Sequence, residues 1–187
     1  MKTKIKKPDA NSWILLTFSL WLASECFFST NTNGDLADSL AMLNRISSYA
    51  IVVLLLTQIL VFQHYTFKEI KRVGVISIVI IIAVVLSGRT SLMGTWLFII
   101  ASKNINIDNM INRAKIILLV MIPLVILLCF MGVFENSINY RSSNMTLRMG
   151  LGFDHPNTLG QRIFSLLMCI YYNKKGKLRQ YVMTSSL

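Results

Sequence analysis

One glycine-rich segment of the sequence carries side chains that could bind an anion and move a proton. Arg148, Asp154, His155 and Asn157 lie in it, and Arg141 shortly precedes it. Arginine keeps its charge when partly desolvated, and its planar fork binds two phosphate oxygens at once. Histidine is the side chain whose unperturbed pKa lies nearest neutral pH, which makes His155 a candidate general base. The segment therefore predicts phosphate binding beside proton transfer.

Two more arginines, Arg89 and Arg162, lie at the edges of apolar stretches. Ionisable side chains in such places are costly and usually face a cavity, so both are candidate substrate ligands. A second interpretation stays open, in which the arginines are interfacial anchors for lipid headgroups. For His155 the corresponding alternative is a residue that only caps a helix or forms a structural hydrogen bond.

The local sequence predicts the start of a helix inside the glycine-rich segment. Gly150 and Gly152 permit a tight backbone course, and Pro156 suits the first turn of a helix. Asp154 or His155 would then cap that helix. The amino-terminal end of a helix attracts anions, so the helix start is itself a candidate phosphate site.

The whole chain has the composition of an all-α, multi-pass membrane protein. Of its 187 residues 54% are hydrophobic and 14% charged, with a mean hydropathy of +0.58. The net charge of +11 is spread over short groups between apolar stretches. Nucleic-acid binding needs a contiguous basic patch, so this distribution excludes it. The three cysteines lie within apolar stretches, without metal-ligand spacing, and are interpreted as packing residues.

Six spans are predicted within a single integral membrane domain, residues 1–187. Residues 73–102 would form a helix of about 45 Å, too long for a ~30 Å hydrocarbon core. Basic residues flank both ends of this stretch, which favours a hairpin with Arg89 at its turn. A polar stretch, 29–44, joins the first two spans. The spans are 13–28, 46–62, 73–87, 91–102, 116–134 and 159–172, with an outer loop at 135–158.

The basic residues give the predicted orientation. With the amino terminus in the cytoplasm, every lysine of the chain falls on the cytoplasmic side, whereas the outer side keeps only arginines. An excess of lysine and arginine in cytoplasmic loops is the usual pattern of membrane proteins. Both termini are therefore expected inside, with the glycine-rich segment on the outer face of the cell membrane.

The segment 148–160, RMGLGFDHPNTLG, follows a strongly apolar helix and resembles the Wzy-type polysaccharide repeat-unit polymerases of the O-antigen ligase-like family. Residues 87–91, SGRTS, between two short apolar arms, are also similar to a segment of that family. The resemblance implies the amino-terminal part of a GT-C-like glycosyltransferase that acts on polyprenyl-diphosphate-linked oligosaccharides during synthesis of O-antigen, exopolysaccharide or capsule.

The resemblance also implies roles for residues. Arg148 and Arg141 would hold the diphosphate, with Arg89 as a third arginine, and His155 would orient or deprotonate the acceptor hydroxyl. Asn157, Asp154 and Arg162 would complete the substrate site. The resemblance also implies that arginines rather than a bound metal stabilise the leaving diphosphate, which agrees with the lack of a carboxylate cluster for Mg²⁺ in this sequence. No cofactor is expected.

The chain departs from the family in its length, because family members continue with further helices and another large outer loop. The sequence is therefore expected to be incomplete at its carboxyl end, and its activity alone is in question. Two other functions stay open: a ligase that attaches finished glycan to another acceptor, and a non-catalytic, flippase-like protein of polysaccharide assembly. Expected partners are the lipid-linked oligosaccharide, membrane lipids and polysaccharide assembly proteins.

Overall fold

The chain is described by a computed structural model, which covers residues 10–32, 35–88, 91–103, 105–140 and 147–184, with the backbone alone at 35, 91 and 173–184. The described chain is mostly helical. A π-helical turn, Gln58–Phe62, follows the second helix, and one short antiparallel hairpin lies between the last two helices. The elements are α1 (Ala10–Phe28), α2 (Asp35–Thr57), α3 (Phe67–Ser87), α4 (Ser91–Ala101), α5 (Ile107–Phe130), β1 (Ile138–Tyr140), β2 (Leu147–Met149) and α6 (Pro156–Thr184).

Three of the described helices are long and apolar enough to cross a membrane. They are α2 with its π-helical turn, α3 and α5, whereas α4 is apolar but short. α3 has no buried residue among its 21, and its isoleucines and valines lie on the surface. Such a surface would aggregate in water and suits hydrocarbon as its solvent. The helices therefore indicate a membrane protein.

The helices extend beyond the apolar stretches that predicted them. Most of the polar stretch 29–44 is helical, because α2 already begins at Asp35. Residues 35–44 contain no glycine or proline and are rich in leucine and alanine, which favour a helix. α5 begins at Ile107, before the predicted span 116–134, but ends at Phe130, so the last residues of that span lie in a turn. α6 runs from Pro156 to Thr184 and exceeds the predicted span 159–172 at both ends. Hydropathy predicts only the apolar part of a helix. The helix itself is longer, because its backbone hydrogen bonds continue into the polar sequence on either side.

Contacts group the chain into two units. The first contains the described residues up to Phe18 together with Ser48–Asn106, and the second contains Ser19–Ser47 and the described residues from Ile107 onward. The division falls within α1 and α2, so each of these helices contributes to both units.

In the first unit α3 and α4 pack side by side as the predicted hairpin requires. The Trp96 indole donates a hydrogen bond to Ser77 Oγ at 2.8 Å. At the open end of the pair, Lys103 Nζ lies 2.8 Å from Glu69 Oε2 and donates to the His64 carbonyl oxygen at 2.8 Å. The residues that follow α4 are thus held against the start of α3.

The segment between α2 and α3 closes the same end. The Tyr65 hydroxyl donates to the Ile100 carbonyl oxygen at 2.9 Å and contacts Gln63 Oε1, while Gln63 Nε2 donates to the Ala101 carbonyl. The Lys103 ammonium lies 4.7 Å from the centre of the Tyr65 ring. Carbonyls in the last turn of a helix have no partner within the helix. The carbonyls of Ile100 and Ala101, in the last turn of α4, each accept a hydrogen bond from a side chain of this segment.

In the second unit α5 packs against α6, and aromatic residues close one end of the pair. Phe134, which follows α5, is buried and meets Phe27 of α1 edge-on at 5.7 Å between ring centres. Phe153, just before α6, is completely buried. This end of the second unit carries the glycine-rich segment.

Candidate functional site

The glycines of the motif are required by a tight turn between β2 and α6. Gly152 has φ of +92° and Leu151 has φ of 47°, so the backbone is left-handed at both residues. A β-carbon on Gly152 would lie 2.9 Å from Cys129 Cβ and 3.0 Å from the Val125 carbonyl oxygen. At Gly150 a β-carbon would overlap Ser137 Oγ. Only glycine fits these two positions, and the turn directs Phe153 into the core.

Backbone hydrogen bonds attach the turn to the segment between α1 and α2. The Asn31 N–H donates to the Gly152 carbonyl oxygen at 2.9 Å, and the Asp154 N–H donates to the Ser29 carbonyl oxygen at 3.0 Å. Thr30 and Phe153 form an isolated antiparallel bridge between these bonds. The start of α6 is therefore fixed by main-chain contacts that do not depend on side-chain identity.

Arg148 is placed by the hairpin. In the antiparallel register it lies opposite Asn139, between the pairs Ile138–Met149 and Tyr140–Leu147. Because side chains alternate along a strand, Arg148 and Asn139 share one face of the hairpin. The Arg148 guanidinium lies 3.5 Å from Asn157 Oδ1, in the first turn of α6.

These residues border an open groove of about 610 Å³. Arg148 and Asn157 are the two predicted site residues that line it. Positions 156, 157, 160 and 161 lie on one face of α6, as helical spacing requires. The lining residues are Arg148, Met149, Pro156, Asn157, Gly160 and Gln161.

His155 lies at the cap of α6, beside the groove. Its Nδ1 accepts a hydrogen bond from the Asn157 N–H at 3.1 Å, and its carbonyl oxygen accepts one from the Thr158 N–H at 2.9 Å. A neutral imidazole whose Nδ1 accepts carries its hydrogen on Nε2, so the exposed nitrogen is a donor. Two first-turn amides are thereby occupied, and an anion in the groove would depend on the side chains of Arg148 and Asn157.

The other predicted residues lie apart from the groove or outside the described part. Arg162 turns toward α1, where its guanidinium lies 3.3 Å from the Glu25 carbonyl oxygen and 3.7 Å from Glu25 Oε2. Asp154 is exposed and makes its bond to Ser29 through the backbone. Arg141 and Arg89 lie outside the described residues.

Sequence reasoning missed Met149, Gly160 and Gln161 as groove residues. A signal for two of them was present, since Gly160 and Gln161 follow Pro156 and Asn157 by four positions and so share a helix face. Sequence reasoning also missed the contact between Glu25 and Arg162. Two opposite charges within apolar stretches are a sign of such pairing.

Comparison with known proteins gives no relative for this chain: no family model, no curated protein and no solved structure matches it.

Proposed function

We propose that the groove beside Arg148 binds the diphosphate of a polyprenyl-diphosphate-linked oligosaccharide, and that the chain takes part in repeat-unit polymerisation as a GT-C-like glycosyltransferase. The observation that carries this proposal is the position of Arg148, which borders an open groove together with the first turn of α6. In this role the arginine neutralises the charge that develops on the diphosphate as it leaves.

The contacts of Arg148 suit this role. Among the described residues its guanidinium contacts the neutral Asn157 amide, at 3.5 Å, and this contact leaves the positive charge of Arg148 available to an anion. The Asn157 oxygen faces Arg148, which leaves the amide nitrogen of Asn157 to donate to a second phosphate oxygen. Arg141 and Arg89 remain in the proposal as further arginines of the site, on the basis of the sequence.

His155 has an orienting role in this proposal. Its Nδ1 accepts the Asn157 N–H, so Nε2–H is available to donate to a phosphate or sugar oxygen. Proton abstraction by Nε2 would require the other tautomer, which gives up the cap of α6. Orientation of the acceptor therefore agrees better with this geometry than deprotonation does.

One observation favours a second candidate, a non-catalytic protein that binds the same lipid-linked sugar. The cap occupies the basic nitrogen of His155, and among the described residues the groove lining contains no carboxylate or other general base. A flippase-like assembly partner would bind the diphosphate without breaking its bond to the sugar. Release of the carrier diphosphate separates the two candidates.

The proposed topology has six spans, both termini in the cytoplasm and the groove on the outer face of the cell membrane. The Lys103–Glu69 ion pair supports the hairpin part of it, since the two ends of the α3–α4 pair lie together. Because the start of α3 and the end of α4 lie together, they would be on the same side of a bilayer. The lysine distribution supports the orientation.

The test is binding of a lipid-linked repeat unit to the chain in lipid nanodiscs. We expect Arg148→Lys to weaken binding at least tenfold, because lysine keeps the charge and loses the bidentate fork. Arg45→Lys, at an exposed site on α2, is the matched control and should leave binding unchanged. Equal affinity of wild type and Arg148→Lys would refute the diphosphate site.

The reaction is tested in the same nanodiscs by separating products according to length. A ladder of polymer together with released carrier diphosphate supports a polymerase. Transfer to an acceptor other than the repeat unit would indicate a ligase. Binding without release of the diphosphate would indicate the non-catalytic candidate.

A further inference from the structure

The two-stranded hairpin has an apolar face that the rest of the described protein leaves uncovered. Cross-strand pairing places Ile138 opposite Met149 and Tyr140 opposite Leu147, and these four side chains share one face. Each is between 47% and 70% exposed. The other face carries Asn139 and Arg148. The six strand residues of the hairpin thus place their apolar and polar side chains on opposite faces.

Exposed apolar side chains also lie on the helix that precedes the hairpin. α5 is one of the helices long and apolar enough to cross a membrane, and Leu127 and Phe130 near its end are exposed. Met131 and Val133, in the turn that follows, are exposed as well. The same stretch of chain then enters β1. Exposed apolar side chains therefore lie both at the end of a membrane helix and in the hairpin that follows it, with the polar residues Glu135, Asn136 and Ser137 between them.

We propose that the hairpin lies flat on the bilayer at this end of α5, with Ile138, Tyr140 and Leu147 in contact with lipid. Met149, the fourth residue of this face, also borders the groove. The occupant of the apolar face is the bilayer itself. Tyrosine suits this depth, because its ring is apolar and its hydroxyl reaches the headgroups.

The backbone limits the depth of this contact. The outer edge of each strand has N–H and C=O groups without a strand partner, and such groups are not stable within hydrocarbon. The strands therefore stay at headgroup level while their apolar side chains reach the acyl boundary. Arg148, on the opposite face, is then held just above the lipid phosphates.

The test uses nitroxide labels on p-acetylphenylalanine, which needs no change to the native cysteines. One variant carries the label in place of Tyr140 and the other in place of Asn139, its neighbour on the opposite face. A label in place of Val120, exposed in the middle of α5, is the reference for deep lipid contact. Each is reconstituted in lipid vesicles, and its relaxation is measured with oxygen, which partitions into lipid, and with a water-soluble nickel chelate.

We expect the label at 140 to be more accessible to oxygen than to nickel, at a depth shallower than the label at 120. The label at 139 should show the opposite preference. Equal preference for nickel at 139 and 140 would overturn the proposal, because the hairpin would then project into water. Exclusion of both reagents at 140 would also overturn it, because protein rather than lipid would cover this face.

A double variant, Tyr140→Ser with Leu147→Ser, removes half of the apolar face. In this background a label in place of Ile138 should become more accessible to nickel than in the otherwise wild-type chain. Unchanged accessibility would contradict a contact maintained by these side chains. The lipid preference of the label at 120, measured in the same background, verifies that the helices are still inserted.

Discussion

At the scale of single residues, the motif divides into residues that build the turn and residues that face the groove. Gly150, Gly152 and Phe153 belong to the first kind, since the two glycines permit a close backbone approach and the phenylalanine is buried. Arg148 and Asn157 belong to the second. The chemistry of the site is therefore concentrated in fewer side chains than the motif contains.

The turn predicts a large effect for a small substitution. Gly152→Ala should destabilise the chain by roughly 2–4 kcal/mol, because alanine strains a left-handed backbone and overlaps α5. Unfolding in detergent, followed by circular dichroism, measures the change. Gly74→Ala in α3 is the control, because a β-carbon at Gly74 meets nothing within 4 Å. A Gly152→Ala chain as stable as the Gly74→Ala chain would contradict this account of the turn.

His155 illustrates what residue type cannot predict. Both interpretations of the sequence were open, a general base or a capping residue, and they differ only in what Nδ1 contacts. The 3.1 Å bond from the Asn157 N–H is a local contact two residues away. No pattern of residue types distinguishes a nitrogen that accepts this bond from one that is free to take a proton.

At the scale of elements, the α3–α4 pair is closed by a polar network at one end. Gln63, Tyr65 and Lys103 supply donors to carbonyls at the end of α4 and of the α2–α3 segment. Because α4 has only 11 residues, it gains little from its own backbone bonds and depends on such contacts.

Tyr65→Phe should destabilise the chain by about 1–2 kcal/mol, because it removes the hydroxyl that donates to the Ile100 carbonyl. Burial, followed by the nearby Glu69 carboxylate, raises the pKa of Tyr65 above its ordinary value of 10.0. The unfolded chain therefore ionises this hydroxyl first, and the wild-type chain loses stability as pH rises above about 10.

The measurement is the difference in unfolding temperature between wild type and Tyr65→Phe at several pH values. The difference should be largest below pH 10 and shrink above it. Tyr49→Phe, at a highly exposed tyrosine of α2, is the control and should show no such change. If the difference in unfolding temperature did not change with pH, the folded chain would not favour the neutral form of the Tyr65 hydroxyl.

The sequence predicted some elements closely and others not at all. The interruption at 87–91 marks the division between α3 and α4, and Pro156 starts α6 as its fixed φ favours. The hairpin was missed because strands of three residues are too short for a period of two to be recognised. The Glu25–Arg162 contact joins residues 137 positions apart, which hydropathy and local propensity do not report.

At the scale of the whole molecule, the remaining question is which side of the bilayer each loop occupies. Reporters fused after Lys71, Lys115 and Lys177 should report the cytoplasm, and reporters after Asp38 and Asn144 the outside, because every lysine then lies inside. A reporter fused after Lys103 tests whether residues 73–102 form a hairpin. A reporter there that reports the outside would mean that 73–102 crosses once, and the later assignments would invert.

The backbone hydrogen bonds between Ser29–Asn31 and Gly152–Asp154 also have a consequence for when the groove can form during synthesis. Ser29 and Asn31 leave the ribosome more than a hundred residues before the backbone groups that they bind. Until then the residues of α2 to α5 are synthesised while the segment after α1 lacks these partners. The groove is consequently assembled only after the residues of α2 to α5 have been made. In a nascent chain stalled before Gly150 this end should still be open to protease.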